Sequence, residues 1–198
     1  MGMIPSSRRG FLAGLGLGAM GGAAGLWLVQ RLGKGSAATL PATALDHQRY
    51  MRLAIAQAHK VPELPFGAVI VDSPTGAVLA EGHNRSKENP TFHGEMDVIN
   101  RLAAKQSVAD WNPLVLYTTA EPCPMCQSAI EWAGIGLVVY GSSIPFLKDL
   151  GWWQIDIRAE EVIQRTLFRK TSLLGGVLME ECNQLFLAVP KGMYRDTK

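Results

Sequence analysis

Two short apolar runs, 66–71 and 77–81, flank the turn-rich segment Asp72-Ser73-Pro74-Thr75-Gly76, and nothing in the chain limits its fold more. Such an arrangement predicts a β-hairpin. Beyond it, helical and strand-like patterns alternate. Helices are expected over about 94–105, 122–133, 159–166 and 176–188. Buried strands are expected at 114–118 and 137–140, and a fifth strand at Gln154–Ile157. Asp46 is placed to cap a first helix reaching about Lys60, ended by Pro62 and Pro65, and Thr91 to cap the second helix. Residues 82–92 read as a polar loop. A hairpin followed by alternating helices and strands predicts an α/β fold: a three-layer α/β/α sandwich around a mixed sheet of about five strands.

Residues 1–44 read differently from the rest. Ser7-Arg8-Arg9-Gly10-Phe11-Leu12 precedes an apolar, Gly- and Ala-rich run over 11–29, and Ala42-Thr43-Ala44 offers a small-residue cleavage pattern before Leu45. The start resembles a twin-arginine export signal. The organisation expected is an export segment, 1–44, and one domain, 45–198, delivered to the periplasm. Retention of residues 11–29 as a membrane anchor is the alternative.

With 47% hydrophobic and 18% charged residues, the chain has enough apolar side chains for a real core. Its 19 basic side chains exceed its 17 acidic ones, but four bases and no acid fall within residues 1–44. The remainder is therefore mildly acidic, which argues against a polyanionic main partner. Three cysteines, with one tight pair, do not make a disulfide framework. Cys182 reads as packing within a helix.

Two motifs carry the chemistry. His93-Gly94-Glu95 opens a helix after a polar loop, and Pro122-Cys123-Pro124-Met125-Cys126 opens another after a buried strand. Cysteines three apart share one helical face, and Pro122 suits an opening helical position. One imidazole and two thiolates form a three-ligand set suited to Zn²⁺, with a fourth position for water. Glu95 is then the proton acceptor and donor. Residues two apart do not share a helical face, so His93 and Glu95 must lie in an irregular first turn. The joint pattern is the H-x-E…P-C-x-x-C signature of zinc deaminases.

On these residues, and on Pro65-Phe66-Gly67-Ala68-Val69-Ile70-Val71 and Gly82-His83-Asn84-Arg85, the chain resembles the cytidine deaminase-like superfamily, nearest in motif to guanine deaminases and tRNA adenosine deaminases. The resemblance implies zinc ligands at His93, Cys123 and Cys126, a proton shuttle at Glu95, a base-contacting Asn84 and a homodimer with its active site near the subunit interface. Gly94 stands where many relatives have Ala, and the segment 145–153 follows no subgroup pattern. Within that segment Trp152 and Trp153 are candidates to stack on a flat ring, and Phe66 is a third aromatic candidate for substrate contact.

The reaction expected is hydrolytic deamination of a free nucleobase or nucleoside, guanine before cytosine. An RNA adenosine deaminase is the alternative, and a zinc-binding or thiol redox module without hydrolysis is the alternative of another class. Glu95 favours hydrolysis, because metal binding alone requires no proton shuttle. Acidity of the body and the export signal count against nucleic acid as partner.

Overall fold

A computed structural model describes residues 45–168 and 170–190. The expected export segment lies outside the described residues. Helix α1 (His47–Ala58) begins where Asp46 accepts a hydrogen bond from the Arg49 amide at 3.0 Å. The hairpin follows as β1 (Gly67–Asp72) and β2 (Ala77–His83). Then come α2 (Gly94–Lys105), β3 (Leu114–Ala120), α3 (Pro124–Ala133), β4 (Leu137–Ser142), α4 (Ile144–Asp149), α5 (Ala159–Arg165), β5 (Ser172–Gly175) and α6 (Met179–Leu187). Among the described residues no helix is long and apolar enough to cross a membrane.

The strands form one mixed sheet in the order β2-β1-β3-β4-β5. β1 pairs antiparallel with both β2 and β3, while β3–β4 and β4–β5 are parallel. Strand periodicity sorts the side chains to two faces. Val69, Val71, Val115, Tyr117 and Val139 pack with Tyr50, Met51 and Ala54 of α1 and Cys182 of α6. Ala68, Ile70, Leu114, Leu116 and Val138 pack with Val98 and Leu102 of α2 and Ile130 of α3. Two cores on opposite faces of one sheet make the three layers. Close packing of α1 depends on Gly67, where a Cβ would come within 2.1 Å of the Ala54 carbonyl oxygen.

Four expectations are corrected. Gln154–Ile157 is not a strand; its place at the sheet edge is taken by Ser172–Gly175. That segment is tied down by the Thr171 amide bonded to Glu131 at 3.3 Å and by the Thr171 hydroxyl on the Ile135 carbonyl at 2.8 Å. The last helix consequently starts at Met179, after the turn that follows β5. Thr91 does not cap α2; its hydroxyl bonds Asn89 Oδ1 at 2.9 Å, and His93 occupies the cap position. Pro122 precedes α3, whose first position is Pro124, so the ring without an N–H sits one Pro later than expected. Helix α4 adds an element that the sequence pattern does not signal; Ser143 caps it by accepting from the Phe146 amide at 3.3 Å.

Candidate active site

Both sequence motifs deliver a ligand at a helix cap. His93 is the N-cap of α2 and Cys123 the N-cap of α3, each with extended backbone (ψ 164° and 165°). Cap geometry turns these side chains outward from the helix axis, toward each other. Cys126 lies at the third position of α3, one turn on, so both sulfurs reach the same point. His93 Nδ1 lies 3.6 Å from Cys123 Sγ and 3.7 Å from Cys126 Sγ. All three donor atoms fall within 4.8 Å of one another.

These spacings fit zinc. Tetrahedral coordination with Zn–S about 2.3 Å and Zn–N about 2.0–2.1 Å separates nitrogen from sulfur by about 3.6 Å. Two soft sulfurs with one imidazole select zinc over magnesium or calcium, which take oxygen ligands. Without metal the two thiols share a proton unequally. Cys123 is pulled down to about 4, first by the hydrogen bond from Cys126 and then by His93. Cys126 is pushed up by that same bond and by burial. The His93 ring is pushed up by its bond to Cys123.

Glu95 occupies the second position of α2, 3% exposed, and its Oε1 accepts the Thr118 hydroxyl at 3.0 Å. Desolvation by burial holds its carboxyl above the usual range, with the Cys123 charge adding to the effect. The irregular first turn expected of His93 and Glu95 is a cap followed by helix. Gly94 between them has a packing reason: a Cβ there would come within 2.8 Å of the Phe66 carbonyl oxygen. Gly94→Ala is expected to cost about 1–3 kcal/mol and to weaken zinc binding by displacing His93. Thermal unfolding and a zinc competition titration on the variant check this.

One cavity of about 460 Å³ collects the remaining candidates. Its wall includes His93, Glu95 and Cys123 together with Asn84, Phe66, Trp152 and Trp153. Asn84 is buried, and its Oδ1 accepts from the Ser86 amide at 2.9 Å and the Ser86 hydroxyl at 2.8 Å. That oxygen is thereby committed to the turn, which orients the amide NH₂ group as the donor. Trp152 is buried and packs edge-on against Phe66 (5.4 Å between ring centres) and Phe186 (5.5 Å). Trp153 is 47% exposed.

Two buried acids outside the sequence-based candidates hold this arrangement. Asp97 accepts from Arg85 Nη1 (2.9 Å), Arg101 Nε (2.7 Å) and the His83 amide (3.2 Å), fastening the loop that carries Asn84 to α2. Glu121, next to the cysteine motif, accepts from Arg158 Nε (2.7 and 2.9 Å) and from the amides of Ile144 and Ala159 (both 3.0 Å). It therefore ties the metal loop to α4 and to the start of α5, the two ends of the segment bearing Trp152 and Trp153. An acid directly before Pro122-Cys123 is visible in the sequence, but its partners lie more than 20 residues away. Glu121→Ala is expected to destabilise the fold by on the order of 2–4 kcal/mol, since each buried donor left unpaired costs about 1–3 kcal/mol. A shift in the denaturant midpoint measures it.

Residues 45–142 match the family model of the cytidine and deoxycytidylate deaminase zinc-binding region. Guanine deaminase of Bacillus subtilis (strain 168) is 33% identical over 129 residues, which cover 59% of this chain and 81% of that protein. The tRNA-specific adenosine deaminase of the same strain is 32% identical over 145 residues, covering 70% and 85%. Among solved structures, guanine deaminase from Nitrosomonas europaea shares the fold, with a TM-score of 0.60 at 22% identity over 85% of this chain and 94% of that one. A tRNA:A34 deaminase gives a TM-score of 0.58 at 27% identity over 69% and 98%. Guanine and tRNA relatives thus stand at similar distance. With one histidine and two cysteines gathered at paired helix caps, the chain belongs to the cytidine and deoxycytidylate deaminase family and is a zinc-dependent hydrolytic deaminase.

Proposed function

We propose that the substrate is a free nucleobase, guanine first, deaminated in the cavity beside His93, Glu95 and Cys123. The observation that carries this reading is the cavity itself. At about 460 Å³ it suits a single small ligand, and Phe66, Trp152 and Trp153 supply aromatic walls for a flat ring. When bound, zinc lowers the pKa of a coordinated water toward neutrality.

The chain's own groups do the rest. Glu95 accepts a proton from the attacking water, passes it to the ring nitrogen next to the amino-bearing carbon, and then protonates the departing amine. One water is consumed, the C–N bond breaks, and ammonia leaves an oxo-substituted ring. Thr118 steadies the carboxyl through Oε1. Asn84, its oxygen held by Ser86, donates from Nδ2 to a ring acceptor and sets the orientation of the base. Phe66 and the two tryptophans exclude water from the ring faces.

A second reading, deamination of a tRNA adenosine, rests on the equal similarity to the tRNA-specific enzymes. The mildly acidic composition of the chain beyond residue 44 favours the free base. An ammonia-release assay of the zinc-loaded full chain tests this against guanine, cytosine, adenine, their nucleosides and tRNA carrying adenosine at the wobble position. Guanine is expected to give the highest kcat/KM. Inosine formation in tRNA with no turnover of any free base or nucleoside would replace the first reading by the second.

A further inference from the structure

Gln154 lies in the irregular segment joining α4 to α5, half-buried and on the wall of the zinc cavity. Among the described residues its side-chain amide has no hydrogen-bond partner. The other polar groups of that wall are engaged. Glu121 gives both oxygens to Arg158 and to the amides of Ile144 and Ala159. Ser86 donates its hydroxyl proton to Asn84 Oδ1, which leaves the Asn84 amide a donor. His93 and Cys123 belong to the metal, and Glu95 to proton transfer. Gln154 alone among these side chains offers a free acceptor and free donors side by side.

In the reaction proposed above, the amino-bearing ring carbon faces the metal and Glu95 protonates one of the two ring atoms beside it. Bases differ at the other one. Guanine has an N–H there, followed by a carbonyl; cytosine and adenine have a carbon. A primary amide complements the N–H and carbonyl of such a lactam edge. Its oxygen accepts from the ring N–H while its NH₂ donates to the ring carbonyl, the two-bond geometry by which Gln side chains read base edges.

We propose that Gln154 determines specificity by pairing with the lactam edge, and that the substrate class is the 2-amino-4-oxopyrimidine ring, fused as in guanine or single as in isocytosine. The inference rests on the free-base reading and deepens it. For isocytosine, water adds at C2, the bond from C2 to the amino nitrogen breaks, and uracil and ammonia leave with no change of oxidation state. A ring that sets carbon against Gln154 forfeits both hydrogen bonds, the kind of loss that separates substrates most sharply.

Isocytosine and cytosine are isomers, so size does not separate them. With the zinc-loaded full chain, kcat/KM is expected to be at least about tenfold higher for isocytosine. Gln154→Leu is expected to erase that preference by loss at isocytosine, with zinc content and circular dichroism unchanged. Hypoxanthine, which keeps the lactam edge and has no amino group to lose, reads the same contact by titration calorimetry without turnover. Its affinity is expected to fall at least about tenfold in Gln154→Leu, and less in Gln154→Glu, which keeps the acceptor. In the wild-type chain 1-methylhypoxanthine, its ring N–H replaced by a methyl group, is expected to bind at least about tenfold more weakly than hypoxanthine, whatever the folding of the variants. Isocytosine turned over no better than cytosine overturns the substrate class. A preference and a hypoxanthine affinity that both survive Gln154→Leu overturn the role of Gln154 and leave the free-base reading standing. No turnover of guanine or of any other free base overturns both.

Discussion

Glu95→Gln is expected to retain one zinc per chain and to lose at least about 10³–10⁴-fold in kcat, the upper range for removal of a general acid–base group. The amide keeps an oxygen for the Thr118 hydroxyl, so the side chain stays in place and only its proton-transfer capacity is removed. In the proposed mechanism the attacking water and the departing amine both depend on this one carboxyl. The loss is therefore larger than for a residue that acts once. Ammonia release measured beside metal content separates this result from metal loss. A variant within tenfold of wild type contradicts the assignment of Glu95.

Cys126→Ser carries the other large effect. Cys126 is fully buried on α3, and its sulfur completes the donor set with His93 and Cys123. Serine presents a hard, neutral oxygen on a shorter bond, so zinc affinity is expected to fall by more than the ~10–100-fold that follows loss of a partner outside the ligand set. Activity is expected to fall with metal occupancy. Cys182→Ala is the control: that thiol lies in the core, and burial pushes it up to about 12. Its removal is expected to lower stability and leave zinc stoichiometry intact. Metal analysis and unfolding midpoints on the two variants distinguish them.

Much of the molecule was legible before folding. The hairpin announces itself through turn formers between apolar runs. β3 and β4 are continuous apolar segments, as strands covered on both faces must be. The donor set was legible because zinc chemistry restricts residue type and spacing so tightly. The error over the fifth strand is equally physical. Ile155-Asp156-Ile157 alternates like a strand, but Ile155 and Ile157 are exposed here and serve the surface rather than the sheet. The true edge strand, Ser172–Gly175, is only four residues long and pairs on one side alone, too short for a period to register.

What escaped the sequence at the site was the support rather than the chemistry. Spacing places His93 and Cys123 at helix openings, but their role as caps depends on φ and ψ that no spacing encodes. Glu121 and Asp97 are buried acids whose partners arrive from distant segments: Arg158 lies 37 residues beyond Glu121. Such pairs exist only once the layers have closed. The commitment of Asn84 Oδ1 to the Ser86 turn belongs to the same class, since a two-residue offset is compatible with many loop geometries.

Zinc K-edge X-ray absorption on the purified, metal-replete chain is the most direct measurement of the central claim. The expected shell is two sulfurs at about 2.3 Å and two nitrogen or oxygen atoms at about 2.0–2.1 Å, with one zinc per chain. A protein that holds no stoichiometric zinc, or a zinc whose shell contains no sulfur, would contradict it.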